Sequence, residues 1–193
     1  MSPISTAKLN LLLALALTAH LSLGAKTQDQ VLSMPNCGDT LPTRWYSGYL
    51  KTSSPSRQLH YVYVESESKP DTDPLLIWFN GGPGCSSMLG LIQEHGPCII
   101  DDFETVVKRN PEPWNKRANV LYLENPAGVG FSYAQFAEDL NFTDHSVSVD
   151  VFTAVRDFFA NWPELLPNKL YITGESYAGI YGPFLALQIH EWN

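Results

Sequence analysis

The stretch that decides the fold is Leu170-Tyr171-Ile172-Thr173-Gly174-Glu175-Ser176-Tyr177-Ala178-Gly179. Its first four residues are apolar, aromatic or β-branched, as in a short buried strand. Gly174 and Ala178 stand two positions on either side of Ser176, and such small residues let a strand and a helix meet closely at a tight turn. A helix should follow almost to the end of the chain, although Pro183 should kink that helix or delay its start. The stretch therefore predicts a strand, a turn that presents Ser176, and a helix.

Two further apolar runs, Leu75–Phe79 and Asn119–Leu123, are short and bounded by turn residues, as buried strands are. Helices are expected after them, over about residues 86–95 and 147–162. Strands that alternate with helices form a mostly parallel sheet with helices on both faces, so the predicted fold class is α/β. Ligands bind such sheets at the carboxyl ends of the strands, where the Gly-rich turns of this chain lie.

Local signals refine this outline at two places. Asp144 or Ser146 could cap the longer helix, and Pro163 should end it. Residues 44–50 and 59–64 are aromatic and β-branched runs separated by a turn rich in serine and proline. That arrangement predicts a β-hairpin before the parallel strands.

Composition limits the class of protein. With 44% hydrophobic residues the chain can form a sizeable core, and a net charge of −8 argues against a nucleic-acid partner, which would require a basic face. Length favours one domain.

The first 25 residues have the layout of a secretory signal peptide, which leaves residues 26–193 as the domain. Lys8 precedes an apolar run over residues 9–19, and small residues follow it. A membrane anchor is the alternative, but spanning takes about 20 apolar residues and this run is shorter, so no stable membrane insertion is expected. Secretion also agrees with the sequon at Asn141, a predicted glycosylation site. Three cysteines leave one that is unpaired or pairs outside the chain.

Three segments, in this order and at compatible spacing, resemble the serine carboxypeptidase family, which has the α/β-hydrolase fold. They are Trp78-Phe79-Asn80-Gly81-Gly82-Pro83-Gly84-Cys85-Ser86-Ser87, Asn125-Pro126-Ala127-Gly128-Val129-Gly130-Phe131-Ser132-Tyr133 and Gly174-Glu175-Ser176-Tyr177-Ala178-Gly179. The resemblance covers most of the chain from about Trp45 to the end. Each segment alone is moderately specific, and the three together are highly specific.

The resemblance implies a role for each matching position. Ser176 would be the acylating nucleophile, and the backbone N–H groups of Gly82 and Tyr177 would form the oxyanion hole. The groups that would bind the terminal carboxylate of a substrate are Asn80, Glu94 and Glu175, with Trp78 nearby. Most of the segment that begins at Asn125 is expected to shape the pocket without touching substrate. No cofactor and no metal are implied.

Two glutamates should repel a substrate carboxylate unless they are protonated. Carboxyl groups that lie close together in a partly desolvated pocket favour protonation. A protonated Glu94 or Glu175 could donate a hydrogen bond to the substrate, and the Asn80 amide could donate another. Substrate affinity is therefore expected to weaken as the pH rises through the titration of these two carboxyl groups.

The remainder of a catalytic triad is not visible in the sequence. In α/β-hydrolases an Asp and then a His follow the nucleophile. None of the five histidines is assigned as the base, because His190 should lie in the helix that leads away from Ser176, and the others read as strand, loop, leader or carboxylate-site positions. The sheet is accordingly expected to be incomplete at its carboxyl end, with an exposed edge. Cys85 would pair with a later cysteine by resemblance, and the 193-residue chain alone is expected to be inactive and poorly folded.

The leading functional hypothesis is a serine carboxypeptidase of the secretory pathway, extracellular or in the lysosome or vacuole, acting on peptides and proteins with a free carboxyl terminus. A truncated and inactive family member, or an incomplete gene model, is the first alternative. An acyltransferase built on the same scaffold is the second. The cluster of Asn80, Glu94 and Glu175 favours peptide carboxylates over ester donors.

Overall fold

The computed structural model describes residues 28–38, 40–100 and 106–192. The predicted signal peptide, residues 1–25, lies outside the described residues. The strands are β1 (Gln30–Val31), β2 (Trp45–Lys51), β3 (Arg57–Val64), β4 (Leu75–Phe79), β5 (Cys98–Ile100), β6 (Val107–Arg109), β7 (Asn119–Leu123), β8 (Tyr133–Ala134) and β9 (Leu170–Gly174). The helices are a π-helix (Gly90–Glu94), α1 (Asp144–Asn161), α2 (Ala178–Trp192) and 3₁₀ turns at Trp114–Lys116, Ala137–Leu140 and Pro163–Leu165.

One mixed sheet runs in the order β1-β2-β3-β7-β4-β9, with β8 added beside β3. Strand β4 pairs in parallel with β7 on one side and with β9 on the other, which confirms the three predicted parallel strands. Strands β2 and β3 form the predicted antiparallel hairpin, and β3 then pairs with β7 in the antiparallel direction. The parallel strands are therefore continued by an antiparallel half. Among the described residues, β9 pairs only with β4.

Both α-helices lie on the same face of the sheet and pack against each other. Fully buried aromatic residues of the sheet, such as Tyr61 and Tyr63, pack there against Phe158 and Trp162 from the end of α1. Helix α1 ends at Asn161, just before Pro163, as predicted.

The N-cap of α1 is neither of the two predicted residues, Asp144 and Ser146. Its N-cap is Thr143, whose hydroxyl accepts the Ser146 N–H at 3.2 Å while the Ser146 hydroxyl accepts the Thr143 N–H at 3.0 Å. Asp144 is the first helical residue, where its charge still favours the positive end of the helix dipole. The reciprocal pair satisfies two N–H groups at once, which a cap at Asp144 would not do.

The opposite face carries the π-helix and a second, smaller core around Trp78, Tyr122 and the Cys37–Cys98 disulfide. The helix predicted over residues 86–95 is shorter than expected. The Ser86 hydroxyl donates to Glu124 and the Ser87 hydroxyl to the Leu123 carbonyl at the end of β7, and both residues stay in a turn. Strands β5 and β6 form a separate antiparallel pair that was not predicted.

Helix α2 begins at Ala178 although Pro183 lies inside it, so the predicted delay was wrong. The turn at Ser176 fixes its start, since the Ala178 N–H donates to the Glu175 carbonyl at 2.9 Å and the Gly179 N–H to the Ser176 carbonyl at 2.9 Å.

Candidate active site

The turn between β9 and α2 holds Ser176 in a strained conformation. Its φ is +52°, in the left-handed region that favours glycine. A Cβ on Gly174 would lie 2.5 Å from the Ala178 Cβ and 2.5 Å from the Phe79 carbonyl oxygen. Because that space is already filled, only glycine fits where the strand and the helix converge. The backbone thus forms the strand, tight turn and helix that the sequence predicted around Ser176.

The Ser176 side chain is exposed at the carboxyl edge of the sheet. Its hydroxyl makes no hydrogen bond to any residue within the three described ranges. It precedes α2 by two residues, so the positive end of the helix dipole lies beside it. A hydroxyl in this position is accessible and lies where a developing negative charge would be stabilised.

A second turn, which follows β4, lies directly against the first. A Cβ on Gly81 would lie 2.4 Å from the backbone nitrogen of Tyr177 and 2.9 Å from the Cβ of Ser176. Gly82, the next residue, has a φ of +108°. Neither the Gly82 N–H nor the Tyr177 N–H donates to a group in the described part of the chain. The Gly82 and Tyr177 N–H groups, which the family resemblance implies for an oxyanion hole, thus belong to two turns that lie against each other.

Asn80 connects the two glutamates of the predicted carboxylate site. Its Nδ2 donates to the Oε1 of Glu94 at 3.0 Å and to the Oε1 of Glu175 at 3.0 Å. Asn80 is 2% exposed, whereas both glutamates lie on the surface. The two carboxylates thus flank one buried amide, immediately beside the Ser176 turn.

The orientation of that amide is fixed by its oxygen. The Oδ1 of Asn80 accepts the Trp78 Nε1–H at 2.7 Å and the Gly90 N–H at 3.0 Å. Since both partners can only donate, the NH₂ group has to face the glutamates. Trp78 was predicted to lie near the site. It orients the Asn80 amide through this hydrogen bond and has no described contact with the glutamates.

His95 packs beneath this cluster among aromatic rings. Its ring stacks on Trp114 at 4.1 Å between centroids and meets Trp78 edge-on at 4.3 Å. Its Nδ1 lies 3.1 Å from the Tyr122 hydroxyl, and its buried Nε2 has no partner among the described residues. Burial lowers the pKa of His95 to about 4, so the ring is neutral above that pH.

No described histidine contacts Ser176. His60 lies on β3 and bonds to Glu124 and Ser47, while His145 and His190 belong to α1 and α2. The placement agrees with the expectation that none of them is the base.

An open pocket of about 560 Å³ lies on the helical side of the Ser176 turn. Its walls include Pro83, Pro126, Phe142, Tyr177 and Tyr181. The Tyr177 hydroxyl donates to the Asp144 carboxylate at 3.0 Å, which raises the pKa of that phenol and joins α1 to the turn. Asn141, the predicted glycosylation site, is exposed at the same pocket.

Comparison with known proteins matches this architecture to one family. The sequence model of the serine carboxypeptidase family matches residues 35–193. The chain belongs to the serine carboxypeptidase family. It is 46% identical to the lysosomal protective protein of Mus musculus over 181 residues, which cover 94% of this chain and 38% of that protein. It is also 46% identical to serine carboxypeptidase ctsa-4.1 of Caenorhabditis elegans over 167 residues, 86% of this chain and 35% of that protein.

The fold of this serine carboxypeptidase family member resembles that of KEX1(delta)p, a prohormone-processing carboxypeptidase from Saccharomyces cerevisiae. The TM-score is 0.70 at 26% identity, over 86% of this chain and 39% of that structure. The chain therefore spans less than two fifths of the length of these relatives. The likeness shows that the sheet, the Ser176 turn and α2 belong to an α/β-hydrolase domain.

Two of the three cysteines of this family member form a disulfide and one is free, as the odd number of cysteines led us to expect. Cys37 and Cys98 form a disulfide across 61 residues, which the sequence did not predict. Cys85 is exposed and is the free cysteine, directly after the Gly82–Gly84 turn. Its pairing with a later cysteine stays a prediction. None of the helices in the described ranges is long and apolar enough to cross a membrane.

One buried polar residue near the site was missed at the level of sequence. Glu124 follows β7, is 0% exposed and bonds to His60, Ser86 and the Phe131 N–H. Its only sequence signal is a charged residue at the end of an apolar strand, just before the Pro126 turn.

Proposed function

We propose that this chain carries the nucleophile and the carboxylate-binding half of a serine carboxypeptidase active site. Ser176 attacks the last peptide carbonyl of a substrate, and the Gly82 and Tyr177 N–H groups stabilise the negative oxygen that forms. The leaving residue departs with the proton that the hydroxyl gave up, and water then releases the acyl group. The base that moves this proton, and the carboxylate that orients it, come from outside the described residues.

The observation that carries the proposal is the Asn80 amide between Glu94 and Glu175, held beside the Ser176 turn. Both N–H groups of the Asn80 amide donate to the glutamates, so a terminal carboxylate would accept from this amide by replacing one glutamate oxygen, and from a protonated carboxyl group beside it. The cluster therefore selects substrates with a free carboxyl terminus.

Proton uptake should accompany substrate binding. A substrate carboxylate would bring a third negative charge next to Glu94 and Glu175, and like charges at short range favour protonation. Affinity is therefore highest at acidic pH and weakens as the pH rises. Such a site suits an acidic compartment of the secretory pathway. The Cys37–Cys98 disulfide, the Asn141 sequon and similarity to the lysosomal protective protein support that location.

The test compares peptides that end in a free carboxylate with the same peptides ending in an amide, in the full-length natural protein. The carboxylate peptides should be hydrolysed and the amides should not, and Ser176→Ala should abolish turnover. Activity that survives Ser176→Ala, or equal rates on both peptide sets, would contradict the proposal.

Glu94→Gln tests the proton uptake. A glutamine at this position donates a hydrogen bond at every pH, so KM should depend less on pH than in the wild type. The matched control is Glu112→Gln, the same change at a surface residue paired with Lys116 at 2.7 Å, and it should keep the wild-type pH profile. An unchanged profile in both variants would remove Glu94 from the binding step.

A further inference from the structure

The Glu124 carboxylate is a completely buried charge that the reaction described above does not use. Removing a carboxylate from water is costly and is tolerated only when good partners surround it. Burial alone raises the pKa of Glu124, but hydrogen bonds from His60, Ser86 and the Phe131 N–H outweigh it and hold the pKa below its usual value. The site thus keeps an ionised carboxylate at the carboxyl end of β7.

Its partners come from three separate segments that meet at this edge of the sheet. His60 of β3 contacts the carboxylate through Nδ1 at 2.9 Å, and the Phe131 N–H from the Gly-rich loop donates at 2.8 Å. The Ser86 hydroxyl donates to the other oxygen. Ser86 belongs to the turn after β4, four residues beyond Gly82. Glu124 therefore touches the segment that carries a proposed oxyanion donor.

The same turn is fastened to β7 a second time by the next residue. The Ser87 hydroxyl donates to the Leu123 carbonyl at 2.7 Å and accepts the Asn80 N–H at 3.2 Å. Both ends of the turn are thus bonded to the end of β7, Asn80 at its start through Ser87 and Ser86 at its end through Glu124. Within the turn, the Cys85 N–H donates to the Gly81 carbonyl at 3.0 Å and closes the backbone around Gly82, while Ser86 and Ser87 attach the turn to β7.

The space around the carboxylate is closed. A Cβ on Gly130 would lie 1.8 Å from the Glu124 Oε1, so the Gly-rich loop is shaped to cover this side chain. Ser47, His60 and Glu124 also form a hydrogen-bonded chain with the connectivity of a catalytic triad. Ser47 lies in the middle of β2, with neither a strained turn nor a helix start beside it, so this chain orients Glu124 and supplies no nucleophile.

We propose that Glu124 is a positioning residue that acts through Ser86 to hold the Gly82 N–H where it can stabilise the oxyanion together with the Tyr177 N–H. This inference rests on the proposed function of Ser176. Without the bond, the turn keeps its Ser87 attachment and its bond from the Cys85 N–H to the Gly81 carbonyl, but its far end at Ser86 is no longer held to Glu124. Loss of a whole oxyanion donor costs about 10²–10³ in rate, so loosening one should lower kcat by about 10- to 100-fold.

The test uses kcat and KM of the full-length natural protein with Ser86→Ala. The expected result is a kcat that falls about 10- to 100-fold while KM stays within about 2-fold, because the turn acts on the transition state and Asn80 keeps its own bonds. Ser86→Thr keeps the hydroxyl and should restore kcat. Glu124→Leu combined with Ser86→Ala should be no slower than the worse single variant, because either change removes the bond between Ser86 and Glu124.

Ser132→Ala is the matched control. The Ser132 hydroxyl donates to the Glu124 carbonyl at 2.8 Å and accepts the His60 N–H at 2.8 Å, so it belongs to the same buried region without contacting the turn. This variant should lose stability and keep kcat. The inference is overturned if Ser86→Ala changes KM only, if it lowers kcat no more than Ser132→Ala, or if Ser86→Thr fails to restore kcat. Should Ser176→Ala remain active, the proposed function fails first, and the two failures are thereby distinguished.

Discussion

Two strand ends in one sheet treat a polar side chain in opposite ways. Glu124, after β7, is fully buried and accepts hydrogen bonds from three segments of the chain. Ser176, after β9, is exposed, has a φ of +52°, and its hydroxyl bonds to no residue in the part of the chain that the structure describes. The two ends are separated only by β4. A buried, hydrogen-bonded carboxylate and an exposed, unpaired hydroxyl on strained backbone thus lie at neighbouring strand ends.

The difference distinguishes support from chemistry. Buried polar groups in native proteins are almost always paired, so the Glu124 network is what a structural role demands. Strained backbone persists only where the surroundings hold it, and such strain gathers at functional sites. Gly81, Gly174 and Ala178 hold the strained end by leaving no room for another geometry.

The largest expected effect comes from Gly81→Ala. The added methyl group would lie 2.4 Å from the Tyr177 nitrogen and 2.8 Å from the Glu175 carbonyl oxygen, and backbone cannot move aside cheaply. We expect the free energy of unfolding to fall by about 3 kcal/mol, at the upper end for overpacking. Peptidase activity should fall at least about 100-fold, because the Tyr177 N–H would be displaced. Urea unfolding and kcat measure the two effects.

Gly130→Ala is the comparison at the other strand end. There the methyl group would lie 1.8 Å from the Glu124 Oε1, so the buried carboxylate would have to shift against its hydrogen bonds, and alanine would also be strained at a φ of +55°. Stability should fall by about 3 kcal/mol, as in Gly81→Ala, but kcat should fall less, because the added methyl group does not displace the Tyr177 N–H. A greater loss at Gly130 would show that the buried network, and not the packed turn, is the more rigid end.

The next effect concerns pH and the aromatic cluster next to β7. His95 is 6% exposed, and burial lowers its pKa to about 4, whereas in the unfolded chain it is near 6.5. Between these values the unfolded chain binds more protons, so the native state loses stability as the pH falls from about 6.5 to 4. The loss should amount to about 3 kcal/mol at pH 4.

His95→Phe keeps an aromatic ring between Trp78 and Trp114 and removes the titration. Urea unfolding at pH 7 and pH 4 should show a smaller acid-induced loss in the variant than in the wild type, by about 3 kcal/mol. His145→Phe, at the exposed start of α1, is the control and should keep the wild-type loss. Equal losses in all three proteins would mean that burial does not lower the pKa of His95 in the native state.

The sequence predicted those parts of the structure that depend on residues close together in the chain. Gly174, Ser176 and Ala178 lie within five residues, and their spacing alone predicted the turn. The cap of α1 could also have been read locally, since Thr143 and Ser146 stand at the spacing of a reciprocal cap. The prediction of Asp144 or Ser146 included one member of that pair, Ser146, but placed the cap one or three residues too late.

Contacts between distant segments could not be predicted in this way. Glu124 meets Ser86 across 38 residues and His60 across 64, and no periodicity or spacing links these positions. Asn80 is 14 residues from Glu94 and 95 from Glu175, so only the family resemblance pointed to that cluster. The Cys37–Cys98 pairing depends on the same kind of distant contact.

The smallest expected effect has the opposite sign. Ser176→Gly should raise the free energy of unfolding by about 1 kcal/mol, because glycine adopts a φ of +52° without the strain that a side chain pays there, and this gain exceeds the added entropy of the unfolded chain. Ser176→Ala keeps a Cβ and should bring no such gain. Ala178→Gly, at the first residue of α2, should lower stability by about 1 kcal/mol, since it removes a buried methyl group. If Ser176→Gly were also destabilising, the turn would carry no stored strain, and the contrast between the two strand ends would reduce to hydrogen bonding alone.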